Sequence, residues 1–135
     1  NEFECGHHYS RSMASYALML ALSGFRYSAP EKRLGFSPKI HREKFKTYFS
    51  TATGWGLYSQ NISDKGAKII LDLKYGSLCL NRLDLPPVDL EKAQVTLRRK
   101  KIKARVEREK NRFSVFLDSV LIKQGEKLIV YLEKD

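Results

Sequence analysis

Cysteine is scarce in this chain of 135 residues: Cys5 and Cys79 stand alone and far apart. Two such thiols make no disulfide framework, and the reading that fits them is a reducing compartment such as the cytoplasm. Histidine occurs three times. Cys5, His7, His8 and His41 could be imagined around a metal, but the local C-x-H-H spacing lacks the C-x2-C or H-x3-5-H geometry of zinc sites. No metal and no cofactor are expected. There is no low-complexity segment, no signal-peptide pattern and no run of the roughly 20 apolar residues that a membrane span needs. Acidic residues are the minority charge, 15 against 25 Lys and Arg, for a net charge of +10.

Against these absences, the most informative stretch is the first 25 residues, NEFECGHHYSRSMASYALMLALSGF. A polar approach carrying Glu2, Glu4, Cys5, His7, His8, Ser10 and Arg11 leads into the apolar run MASYALMLAL. Ser10 or Ser12 is a suitable N-cap, because its hydroxyl can accept from a free N–H of the first turn. Gly24 is placed to close the helix, with Phe25 supplying the hydrophobic contact of a C-terminal cap. The predicted helix, about residues 10–23, has no polar stripe beyond its first turn, so a buried helix is expected.

The remainder reads as β-structure. KFKTYFS alternates Phe45, Thr47 and Phe49 against Lys46, Tyr48 and Ser50. Trp55 lies between Gly54 and Gly56, a pattern suited either to a sugar-stacking platform or, the favoured reading, to a core aromatic at a β-bulge. From Gly66 strands follow one another. AKIILDLKYG places Ile69, Leu71, Leu73 and Tyr75 on one face, and SLCLNRLDL repeats the alternation until Pro86-Pro87 stops it. Turn signals at roughly 8–12-residue spacing predict an antiparallel, sandwich-like module over 62–135. The expected fold class is mixed α+β, one buried helix followed by that module.

Three blocks, NEFECGHHYSRSMASYALMLALSGFRY, RLGFSPKI and FSTATGWGLYSQ, in that order between Asn1 and Gln60, resemble the C-terminal end of the catalytic domain of glycoside hydrolase family 116. That family comprises non-lysosomal glucosylceramidases and related β-glucosidases. The resemblance implies that residues 1–61 end an (α/α)6 barrel performing retaining hydrolysis of β-glucosides. It also implies that Glu2 and Arg11 bind hydroxyls of the glucose ring in the first subsite. A carboxylate accepting from vicinal hydroxyls and a guanidinium donating to their oxygens suit that role. The family's nucleophilic Glu and acid/base Asp lie upstream of the matched blocks, so no catalytic residue is assigned here. A retaining enzyme needs two carboxyl groups about 5–5.5 Å apart, and this chain alone is expected to be inactive. Its start at Asn1, within a motif and without Met, gives the expectation of a fragment. The implied partners are a glucoside substrate in the parent enzyme and the remainder of the barrel.

Ten basic residues against Glu107 and Glu109 crowd the interval from Lys92 to Arg112. Lys101, Lys103 and Arg105 alternate with Ile102, Ala104 and Val106, as on a solvated strand face. The alternative function is a non-catalytic β module binding carbohydrate or a polyanion through this basic face. No nucleic-acid partner is expected, since neither a recognition helix nor paired stacking aromatics accompany the charge.

Overall fold

A computed structural model describes the backbone of residues 2–135 and the side chains from residue 12 onward. Among the described residues one helix, α1 (Glu2–Ser23), precedes ten strands. In chain order these are β1 (Arg26–Ser28), β2 (Arg33–Gly35), β3 (Lys44–Ser50), β4 (Gly54–Ile62), β5 (Gly66–Leu85), β6 (Lys92–Leu97), β7 (Lys100–Ile102), β8 (Ala104–Glu109), β9 (Arg112–Lys123) and β10 (Lys127–Glu133).

The 20-residue β5 organises the sheet. Its first half pairs with β4 on one side and β10 on the other. β3 extends that portion beyond β4, and β6 and β7 extend it beyond β10. Its second half pairs with β9, which carries β8, and with β2, which carries β1. The β2–β5 pairing is parallel, with Leu34 beside Leu83. The sheet is therefore mixed and open, which corrects the expectation of an antiparallel module. β3 lies before residue 62, the expected start of the module, and β4 ends on it; β4 is hydrogen-bonded to β5 and carries β3.

Two irregularities let β5 serve both portions. Ala67, Ile69, Leu71 and Leu73 are buried, then Leu78 and Leu80, then Leu83 and Leu85. The buried parity changes from odd to even and back. The changes fall at the register shift of Trp55/Gly56 against Leu73–Tyr75, and at that between Leu80 and Arg82. A bulge adds one residue to a strand and so moves every later side chain to the opposite face. The inward side chains of both portions merge into one core with Val95, Val115, Ile122, Leu128 and Val130. At one end it is aromatic: the rings of Phe36 and Tyr58 stack at 3.8 Å, and Phe25 and Phe49 flank Phe36. Burial pushes the Tyr58 phenol pKa far above its ordinary value. The hydroxyl stays protonated and donates to Gln60 Oε1 at 2.5 Å, while Gln60 Nε2 donates to the Arg42 carbonyl.

The end of α1 matches the expectation. Phe25 N–H donates to the Leu20 carbonyl and Gly24 N–H to that of Ala21, with Gly24 at φ 61°. This is a Schellman cap. A Cβ on Gly24 would lie 2.3 Å from the Ser37 carbonyl oxygen. The chain then returns to cover the helix end, with Ser37 and Lys39 N–H groups donating to the Ser23 and Leu22 carbonyls.

Two other expectations for the helix are corrected. It starts at Glu2, not near Ser10, because the segment before Ser10 contains no proline and Gly6 alone is a modest penalty of about 1 kcal/mol. Nor is it buried: Met13, Tyr16 and Leu18 are 58%, 44% and 59% exposed. The strands meet α1 at its last turn, and the described turns before that have no cover. Among the described residues no helix is long and apolar enough to cross a membrane.

Candidate functional site

Glu2 and Arg11, expected to bind sugar, fall outside the residues whose side chains are described, as do Cys5, His7 and His8. Both Glu2 and Arg11 belong to the backbone of α1.

What the described residues bring together is a row of aromatic rings on the outer face of β3, β4 and β5. In β4 the inward residues are Gly56, Tyr58 and Gln60, so Trp55 and Leu57 point outward. Tyr48 is paired across strands with Leu57, and Trp55 with Tyr75. The Tyr48 and Trp55 ring centroids are 6.0 Å apart with a 49° tilt. Exposure is 38% for Tyr48, 41% for Trp55 and 60% for Tyr75. Sequence reasoning placed Trp55 at a bulge, which is correct, and in the core, which is not. It also placed Tyr75 on the face of Ile69, Leu71 and Leu73. The register shift beside Lys74 turns Tyr75 to the solvent side instead.

Polar groups border this row. Asp72, opposite Leu57, is paired with Lys74 at 2.8 Å and lies 3.9 Å from Lys127. Farther along the same face, Lys44, Lys46, Ser59, Asn61, Lys68 and Ile70 line a depression of about 490 Å³.

The basic interval is divided by the fold. β6 and β7 lie in one portion of the sheet and β8 in the other, so the ten cations do not share one strand face. Lys101, Lys103 and Arg105 are exposed and Ile102, Ala104 and Val106 half-buried, as the alternation predicts. Carboxylates neutralise much of the charge: Arg98 meets Glu126 at 2.9 Å, Arg108 meets Asp89 at 2.9 Å, and Arg112 meets Glu109 at 2.8 Å. Lys92 is paired with Asp135 and Arg105 with Glu107. Arg105 and Arg82 also lie over the Phe116 ring, 4.5 and 5.1 Å from its centroid.

A further polar cluster is buried where β2, β5 and β9 meet. Asp84 Oδ2 accepts from Arg33 Nε at 2.6 Å, and Oδ1 accepts from Arg82 Nε and Ser114 Oγ, each at 2.7 Å. Burial pushes the Asp84 carboxyl up, but the hydrogen bonds from Ser114, Arg82 and Arg33 together bring it below the ordinary aspartate value. With both oxygens held by donors, Asp84 is built to fix β2 to β5 and β9, and it is poorly suited to moving a proton.

No protein-family model matches the sequence, and no curated protein sequence does. Among solved structures, an α-L-rhamnosidase from Dictyoglumus thermophilum aligns with 84% of this chain at 15% identity and a TM-score of 0.45. The chain covers 12% of that protein. The neighbour is a glycoside hydrolase, and neither it nor any family model shows family 116 for this chain.

Tyr48, Trp55 and Tyr75 were visible as residues but not as a group. The available signal was glycine on both sides of the single Trp, with a third, Gly76, just after Tyr75. Gly54 is paired with Gly76, and a Cβ on Gly56 would lie 2.3 Å from the Asp72 carbonyl oxygen. The glycines mark close backbone approach around an outward Trp.

Proposed function

We infer that this chain is the C-terminal part of a retaining glycoside hydrolase of the β-glucosidase type. In this reading α1 belongs to the (α/α)6 barrel and the strands form a non-catalytic module behind it. The carrying observation is the bare apolar helix, which displays Met13, Tyr16 and Leu18 to solvent. An isolated helix of 22 residues gains little stability from propensity alone, and most helices are held by packing of an apolar face. Neighbouring barrel helices would supply that packing. The three sequence blocks between Asn1 and Gln60, which resemble the end of a family 116 catalytic domain, support an (α/α)6 barrel as the source of those helices. Glu2 and Arg11 would hold hydroxyls of the glucose ring, and the nucleophile and acid/base would come from the remainder of the barrel.

The test is Arg11→Ala in the full-length enzyme with an aryl β-glucoside. Losing charge-assisted hydrogen bonds worth about 1.5–3 kcal/mol should reduce kcat/KM about 10- to 100-fold. Turnover equal to wild type would remove Arg11 from the site and, with it, the main residue-level support for this function.

A further inference from the structure

The geometry points to Tyr48, Trp55 and Tyr75 as a stacking site for a neutral, gluco-configured oligosaccharide. This does not rest on the function proposed above, since it concerns a different face and different residues.

Large aromatic side chains carry the most apolar area and are ordinarily drawn into cores. Here the backbone is shaped to keep one out. Uninterrupted alternation along β4 puts Gly56 inward and the indole of Trp55 on the outer face. The extra residue Lys74 of β5 turns Tyr75 to that same face, and Gly56 allows β4 to approach the Asp72 carbonyl. Tyr48 lies on one side of the indole and Tyr75 faces it across the β4–β5 ladder on the other. Three adjacent strands at about 4.8 Å spacing make the row about 10 Å long, about the reach of two linked pyranose rings. The 49° tilt between Tyr48 and Trp55 makes it a shallow trough.

The ligand class follows from the surface chemistry. An aromatic face is electron-rich, and a pyranose with equatorial hydroxyls offers it axial C–H groups. Its hydroxyls then point outward, toward the phenol groups, Asp72 and Lys74, as in sites where a few polar groups orient a ligand against apolar walls. Asp72 and Lys74, 2.8 Å apart, offset each other beside the rings and offer one acceptor and one donor to neutral hydroxyls. Lys127, 3.9 Å from Asp72, leaves one further cation that makes the comparison with a polyanion part of the test. Three half-exposed rings offer far less than the roughly 800 Å² per partner of a stable protein interface.

Because Trp55 is the only tryptophan, its emission reports on the site directly. Titrating the intact chain with cellotetraose should give a saturable change in emission, with a Kd of about 1 mM or tighter. Tyr48→Ala and Tyr75→Ala, at exposed positions, should leave far-UV circular dichroism and Tm unchanged and weaken binding about fivefold or more each. Trp55→Ala should abolish retardation in a hydroxyethyl-cellulose affinity gel, and Trp55→Phe should restore part of it. No emission change with cellotetraose up to about 10 mM would overturn the proposal. So would a response to heparin oligosaccharides alone, or undiminished retardation of Trp55→Ala.

Discussion

Asp84→Ala is expected to lower the stability of the fold by about 3 kcal/mol, mostly through the charged groups it leaves behind. Asp84 is 7% exposed and accepts from Arg33, Arg82 and Ser114. Removing a buried carboxylate strands its cationic partners, which is costlier than replacing the whole network by apolar groups. Arg33 and Arg82 side chains are 24% and 21% exposed, so water relieves part of that penalty and the upper end of the usual range is not reached. In thermal unfolding this corresponds to a Tm lower by about 10 °C for a domain of this size. The network also predicts an acid limb. The folded carboxyl titrates below its unfolded value, so its stabilisation is complete above the ordinary aspartate pKa of about 3.9. That stabilisation is lost as pH falls through the lowered folded value. Asp84→Asn should flatten this limb of the Tm–pH curve. An unchanged acid limb, or a Tm drop under about 2 °C for Asp84→Ala, would show that β2, β5 and β9 are held together without this network.

Gly76→Ala should be worse, by about 4 kcal/mol, because two penalties coincide. Gly76 has φ 78°, in the left-handed region that side chains rarely adopt, and a Cβ there would lie 2.1 Å from the Thr53 carbonyl oxygen and 2.8 Å from Gly54 Cα. Neither obstacle is a flexible side chain that could swing away. Gly125→Ala supplies the control. Gly125 has φ 83° but nothing within 4 Å of the added Cβ, so it carries the strain alone, about 1 kcal/mol. Comparing the urea midpoints of the two variants isolates the steric part. Gly76→Ala unfolding no earlier than Gly125→Ala would mean that β5 can pass between its two pairings without the close approach. If the clash is instead relieved by moving β4, the emission of nearby Trp55 will shift in the folded variant.

Local chemistry was readable from the chain. The cap at Gly24 and Phe25 formed as expected because it needs only a residue tolerant of positive φ and an apolar residue after it. The strand at Lys44–Ser50 and the alternation through Lys101–Val106 were legible because a strand's faces repeat every two residues. Reading failed wherever the period was interrupted. Tyr75 continues the odd-numbered series of Ile69, Leu71 and Leu73, and nothing local announces that Lys74 is the extra residue of a bulge. Trp55 has a different cause: β4 alternates regularly, and the apolar area of the indole outweighed the parity that sets it outward with Leu57 while Gly56 and Tyr58 point in. The helix start was missed because Ser10 is as good a cap as it is a tolerable helix residue, and the choice between them is small in energy.

By itself the sequence determined that this chain ends one apolar helix at Gly24 and continues as strands with a strongly basic surface. It also carried the three blocks that resemble a glycoside hydrolase. Local conformational preference and side-chain periodicity are enough for that. Only the tertiary structure decided that β2 runs parallel to β5, that Asp84 gathers Arg33, Arg82 and Ser114, and that the apolar helix stands uncovered. It alone set Tyr48, Trp55 and Tyr75 side by side. Those outcomes depend on cross-strand register, and register is fixed by bulges and by the packing of a shared core between segments far apart in the chain.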